Sequence, residues 1–124
     1  MTHEPLSVEI RADHGGDAMI YRLRGSLDLE TAPSLRAALM EAANEGKHDI
    51  LVDLSHLEFL DSTGLGALIG AHKRASENGG QVRLIVGAGP IQRLLTITGL
   101  MRVFAVYASL DAALDDRDRL VASI

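Results

Sequence analysis

Hydrophobic and polar positions change period along the chain, and the changes predict its elements in order. Leu6, Val8 and Ile10 alternate with Ser7, Glu9 and Arg11, the period of a strand with one wet face. His14-Gly15-Gly16-Asp17 reads as a turn, and Met19, Tyr21 and Leu23 resume the alternation, so the opening reads as an antiparallel hairpin. Gly25 to Leu29 reads as a loop. Thr31 followed by Pro33 marks a helix start, with Leu35, Ala38, Leu39 and Ala42 as its buried stripe and Gly46 as its end. A nearly continuous apolar run then begins, Leu51, Val52, Leu54, Leu57, Phe59 and Leu60. It reads as a buried strand and its extension. Leu65, Leu68, Ile69 and His72 fall at helical spacing immediately after it, until Asn78-Gly79-Gly80 stops the helix.

The remainder repeats the alternation. Val82, Leu84 and Val86 form a strand that turns at Gly87 and Gly89, and Pro90 opens a short helix carrying Ile91, Leu94, Leu95 and Ile97, closed by Gly99. Val103, Phe104 and Val106 read as the last strand. Ser109 caps a final helix whose Leu110, Ala113, Leu114 and Val121 face inward. The order ββαβαβαβα implies an α/β fold, a hairpin followed by a mixed, mostly parallel sheet with helices packed on it. Such sheets place their sites in the loops that follow the strands' carboxyl ends. Asp28 and Asp61-Ser62 both lie in such loops, and the topology predicts them as neighbours across adjacent strands.

Composition narrows the class. A chain of 124 residues, 47% hydrophobic, suits one domain over 1–124 with a real core. It has no cysteine, which removes disulfides and thiol chemistry and suits a cytoplasmic location. No apolar run approaches the length of a membrane span, and nothing resembles an export signal. A net charge of −5, no basic cluster and no Trp argue against a nucleic-acid surface and leave a protein or small-molecule partner. His3, His14, His48, His56 and His72 are scattered, with no helical metal-ligand spacing. His72 reads as a partly buried core residue, whereas His48 and His56 flank the central strand in solvent. No base stands beside a nucleophile, and the Asp28 and Asp61 carboxylates have no accompanying pocket residue, so neither a catalytic site nor a cofactor is expected. Gly64-Leu65-Gly66, with Gly70 beyond, is one residue too long for a dinucleotide fingerprint. Gly87-Ala88-Gly89-Pro90 is a turn whose Pro lacks the amide a phosphate would need. The cluster Asp111, Asp115, Asp116, Arg117, Asp118 and Arg119 reads as the wet face of the last helix.

The stretch Asp61-Ser62-Thr63-Gly64 remains. Ser62 is the natural N-cap of its helix, because a hydroxyl there accepts from the free first-turn amides, and Gly64 leaves room for something to approach. That geometry suits three uses: a plain cap, an anion site, or a serine that itself takes a phosphate at the positive end of the helix dipole. Residue physics leaves all three open.

The segment VDLSHLEFLDSTGLGALIG resembles the signature of STAS domains, and specifically of bacterial anti-sigma factor antagonists: an apolar strand, Asp-Ser-Ser/Thr-Gly-Leu/Ile-Gly, then an apolar helix. RLRGSLDLETAPSLRAAL is similar to the same family's Gly-x-Leu-Asp-x-x-x-Ala-Pro, carried by Gly25, Leu27, Asp28, Ala32 and Pro33. The resemblance implies a phosphorylation-controlled partner switch and no catalysis by this chain. An anti-sigma factor that is also a serine kinase would phosphorylate Ser62, the unphosphorylated protein would bind that factor and release a sigma factor, and a serine/threonine phosphatase would restore Ser62. Asp28, Asp61, Thr63, Gly64, Leu65 and Gly66 would share the switch surface with Ser62. The alternative within the family is a scaffold subunit of a lipid-transport or signalling complex, with no kinase.

Overall fold

The computed structural model describes residues 5–12, 18–47 and 49–122, with side chains described as far as Asp116. The turn expected at His14 to Asp17, together with His3 and His48, falls outside those residues, as do the side chains of Arg117, Asp118, Arg119 and Val121. The element order is β1 (Ser7–Ala12), β2 (Ala18–Leu27), α1 (Ala32–Asn44), β3 (Asp49–Leu60), α2 (Ser62–Glu77), β4 (Gln81–Ile85), α3 (Pro90–Ile97), a 3-10 turn (Leu100–Arg102), β5 (Ala105–Tyr107) and α4 (Leu110–Ala122). The five strands lie in the order β1-β2-β3-β4-β5, with β1 antiparallel to β2 and every other pair parallel. This is the mixed α/β sheet that the hydrophobic pattern implies.

The central strand β3 is apolar on both sides because both faces are covered. Ile50, Val52, Leu54, Leu57 and Leu60 join the larger core with Leu35 and Leu39 of α1, Leu65 and Leu68 of α2 and Leu95 of α3. Leu51 points the other way and meets Ile20, Ile85 and Ala113 of α4. On α2, Ile69 is exposed instead of buried, and the inward stripe continues through Ala67, Ala71 and Ala75. Small residues there let α1 pack against α2, and Asn78 Nδ2 donates to the Ala43 carbonyl at 2.9 Å to tie their ends.

Several details differ from the sequence reading. Gly25, Ser26 and Leu27 are strand, not loop: β2 continues beside the extension of β3, pairing Gly25 with Leu57 and Leu27 with Leu60 through two register shifts. Gly25 absorbs the distortion at φ 91°, a conformation that favours glycine. β1 lacks a buried face, with all six residues exposed, because it is an edge strand that α1 only partly covers. At the far edge, Val103 and Phe104 lie outside β5, as Val86 lies outside β4, and buried Phe104 docks against His72, ring centroids 5.2 Å apart. His56 lies inside β3 rather than beside it, and it is exposed as expected.

Charges are buried under α4. Arg83 on β4 is 2% exposed, yet its guanidinium donates to Asp49 at 2.9 and 2.6 Å and to the Ala113 carbonyl at 2.8 Å. Burial would lower its pKa, and the Asp49 carboxylate more than reverses that, so the group stays charged. Tyr107 lies against the same guanidinium, 5.2 Å from ring centroid to carbon, and its hydroxyl donates to Asp116. This network fastens α4 to the sheet. Asp49→Leu leaves the guanidinium unpaired and is expected to cost about 3–5 kcal/mol in urea denaturation, far more than a surface carboxylate.

His72 is half-buried, and its Nδ1 accepts from the Val82 amide at 3.1 Å. Burial pulls its pKa below the usual 6.5. A depressed folded pKa means that the unfolded chain takes up the proton first, so the contribution of His72 is complete above pH 6.5 and is lost as pH falls below it. Urea midpoints for wild type and His72→Gln should therefore lie further apart at pH 7.5 than at pH 5.5.

Candidate functional site

The site is made where β2 and β3 end together. Leu27 and Leu60 are paired in register, so the residues that follow them, Asp28 and Asp61, leave the sheet side by side. The Asp61 amide donates to the Leu27 carbonyl at 3.2 Å and joins the two loops directly. The neighbourhood expected of these two loops is thus present.

Each carboxylate organises its own loop. Asp28 Oδ1 accepts from the amides of Glu30 at 3.0 Å and Thr31 at 3.1 Å. The Thr31 hydroxyl accepts from the Asp28 amide at 2.9 Å and donates to the Ser26 carbonyl at 2.8 Å. That exchange closes the turn and starts α1. Asp61 adopts extended geometry (φ −108°, ψ −176°), and its Oδ1 accepts from the Gly64 amide at 3.0 Å. The N-cap of α2 is therefore Asp61, not Ser62. An acceptor that is already anionic suits the positive helix end better than a hydroxyl, and Ser62 becomes the first helical residue, exposed, with its side chain released from capping.

Gly64 has a different purpose from the one its position suggests. A Cβ there would lie 2.7 Å from the Leu27 carbonyl oxygen, 2.7 Å from Leu60 Cδ1 and 2.8 Å from Leu27 Cγ. The room that Gly64 leaves is filled by the ends of β2 and β3, not by a visitor. Leu65, 8% exposed, packs beneath it in the core. Both hold the surface from below. Gly66 is the reverse: it is exposed, and a Cβ there would meet nothing within 4 Å.

Next to Ser62 a groove runs between α1 and α2. Thr63, Gly66 and Ala67 form one side, Ala32, Pro33, Ala37 and Met40 the other, with Arg36 and Arg74 along it. At Gly70 the α1 side chains cross over, Met40 Cε 3.5 Å and Arg36 Nε 3.8 Å from where a Cβ would stand. Sequence reading missed this groove. Its signal was the small residues Gly66 and Gly70 one turn apart on an otherwise apolar helix, opposite a helix with arginine on its outer face. Among the described residues no cluster of three metal-ligating side chains occurs, and no helix is long and apolar enough to cross a membrane.

The surface thus offers an exposed hydroxyl on the first turn of a 16-residue helix, next to two joined loops that are each anchored by their own carboxylate, and near an open groove. Known proteins share both the sequence and the shape. The pattern of the STAS domain matches residues 9–113. An anti-sigma F factor antagonist of Paenibacillus polymyxa is 31% identical over 103 residues, 82% of this chain and 88% of that protein. An anti-sigma-B factor antagonist of Staphylococcus epidermidis is 37% identical over 79 residues, 64% of this chain and 73% of its own. The crystal structure of an anti-sigma factor antagonist from Mycobacterium paratuberculosis superposes with a TM-score of 0.80 at 28% identity, covering 90% of this chain and 92% of that one.

The two glycines separate scaffold from surface. Gly64→Ala is expected to destabilise the fold by about 2–3 kcal/mol through overpacking. Gly66→Ala should instead leave stability unchanged or raise it by about 0.5–1 kcal/mol, the usual gain at a helix interior. Thermal and urea unfolding of the two variants measure the contrast.

Proposed function

The chain belongs to the STAS domain family, and from that premise we propose that it is an anti-sigma factor antagonist of the cytoplasm, switched by phosphate on Ser62. The observation that carries the reading is the exposure of Ser62 at the first position of α2, with Asp61 and not Ser62 supplying the cap. A capping hydroxyl would have to give up its hydrogen bond to be modified. This one gives up nothing.

The unphosphorylated surface binds an anti-sigma factor, which thereby lets go of its sigma factor. That factor, acting as a serine kinase, transfers phosphate to Ser62, and a serine/threonine phosphatase removes it. The chain is ligand and substrate, and its partners do the chemistry. Phosphate adds about −1.5 to −2 charges, and a helix N-terminus stabilises them by roughly 0.3–1 kcal/mol, so α2 keeps its place. The interface changes instead. A partner carboxylate about 5 Å away feels roughly 3 kcal/mol per unit charge pair at an effective dielectric near 20, and half of that is about tenfold in affinity. Asp28 and Asp61 already make the surface acidic, so the dianion deepens an existing field. Thr63 is half-buried at the groove wall and less open than Ser62 to a kinase.

Incubation with the cognate kinase and ATP, followed by peptide mass spectrometry, should place the label on Ser62 and none on Thr63. In calorimetry with the same partner, Ser62→Ala should bind as the unmodified protein does and Ser62→Asp should lose about tenfold or more. Equal binding by both variants, or no label with any partner, would refute the switch and leave a constitutive scaffold.

A further inference from the structure

The longest open edge of the sheet is β1, and its charge pattern fits a second copy of itself. Among the described residues β1 pairs with β2 alone, so its outer side carries a row of backbone donors and acceptors with no strand against them. Val8 and Ile10 stand 37% and 52% exposed on one face, along a shallow apolar groove with Leu6 of the preceding loop and Leu35 and Ala38 of α1. Glu9 and Arg11 occupy the other face. An edge strand with this composition either repels neighbours or selects one.

Register decides which. Antiparallel pairing of β1 with its own copy about a two-fold axis keeps the apolar face continuous only if residues of like parity oppose one another. Centred on Glu9, the pairing sets Glu9 against Glu9. Centred on Arg11, it sets Arg11 against Arg11. Centred on Ile10, it sets Ile10 against Ile10, Val8 against Ala12, and Glu9 against Arg11 of the second copy, twice by symmetry. That register also continues a pattern already inside the sheet. Glu9 is paired with Arg22, and Arg22 with Asp53, whose carboxylate lies 3.3 Å from the Arg22 Nε. Arg11 of the second copy completes a row that alternates plus, minus, plus, minus across four strands and two molecules.

We propose that two copies of this chain associate edge to edge through β1, in the register centred on Ile10, to form one continuous ten-stranded sheet. The two β1 strands run antiparallel, so the two Ser62 ends face opposite directions and neither blocks the other. The opposite edge, β5, has three residues and gives far less to pair with.

The chain contains no cysteine, so a single introduced thiol reports the register directly. A disulfide needs Cα atoms closer than about 7 Å, and directly opposed residues of antiparallel strands lie about 4.5–5.5 Å apart. Under mild oxidation Ile10→Cys is expected to form a covalent dimer. Val8→Cys, roughly 14 Å from its own copy in this register, should not, whereas Val8→Cys mixed with Ala12→Cys should. In sedimentation equilibrium, Glu9→Arg or Arg11→Glu alone should weaken the dimer roughly tenfold, and an equimolar mixture of the two variants, in which every cross-dimer pair is again opposite in charge, should associate more tightly than either alone. Circular dichroism verifies that each variant is folded. A monomeric mass up to millimolar concentration, cross-linking of Val8→Cys as readily as Ile10→Cys, or a mixture of the two charge variants that associates no better than either alone would each overturn the proposal.

Discussion

The structure depends on one close approach, the first turn of α2 lying directly on the ends of β2 and β3 at Gly64. No side chain fits between that backbone and the Leu27 carbonyl. Because nothing intervenes, the Asp61 amide reaches Leu27 and the Asp28 loop is held beside the start of α2. The functional surface follows from a packing constraint beneath it. Its polar residues are positioned by backbone contacts on one side and are open to solvent on the other, so the Ser62 hydroxyl is accessible without being loose.

The second face of the sheet is organised differently. There a buried ion pair, Arg83 with Asp49, occupies what hydrophobic side chains could have filled, and a third N–H of the guanidinium donates to the carbonyl of Ala113. A buried pair of this kind adds little net stability compared with an apolar replacement. Its hydrogen bonds have direction, however, and they fix where α4 crosses β4. Packing through Leu110 and Leu114 alone would leave that crossing less defined.

Much of this was legible in the sequence. The order of elements, the two loops that carry Asp28 and Asp61, and their adjacency followed from periodicity, turn residues and the rule that sites gather at strand carboxyl ends. Two failures share a cause: they concern which of two chemically suitable residues takes a role. Asp61 and Ser62 both cap helices well, and only the extended backbone at Asp61 shows which one does. Gly64 and Gly66 read alike in the motif, yet one meets backbone at 2.7 Å and the other meets nothing. The exposure of β1 was hidden because alternation records that a strand has an apolar face, not that a helix arrives to cover it. Arg83 occupies an alternate position between Val82 and Leu84, and its burial became visible only when α4 was placed over it.

The Leu27–Asp61 bond joins residues far apart in the sequence, through a parallel pairing whose crossover connection is α1. An unfolded or still-emerging chain therefore carries the serine without the neighbouring Asp28 turn. A partner that touches both loops at once meets them together only on folded copies, so recognition at this surface would itself report that the sheet is assembled.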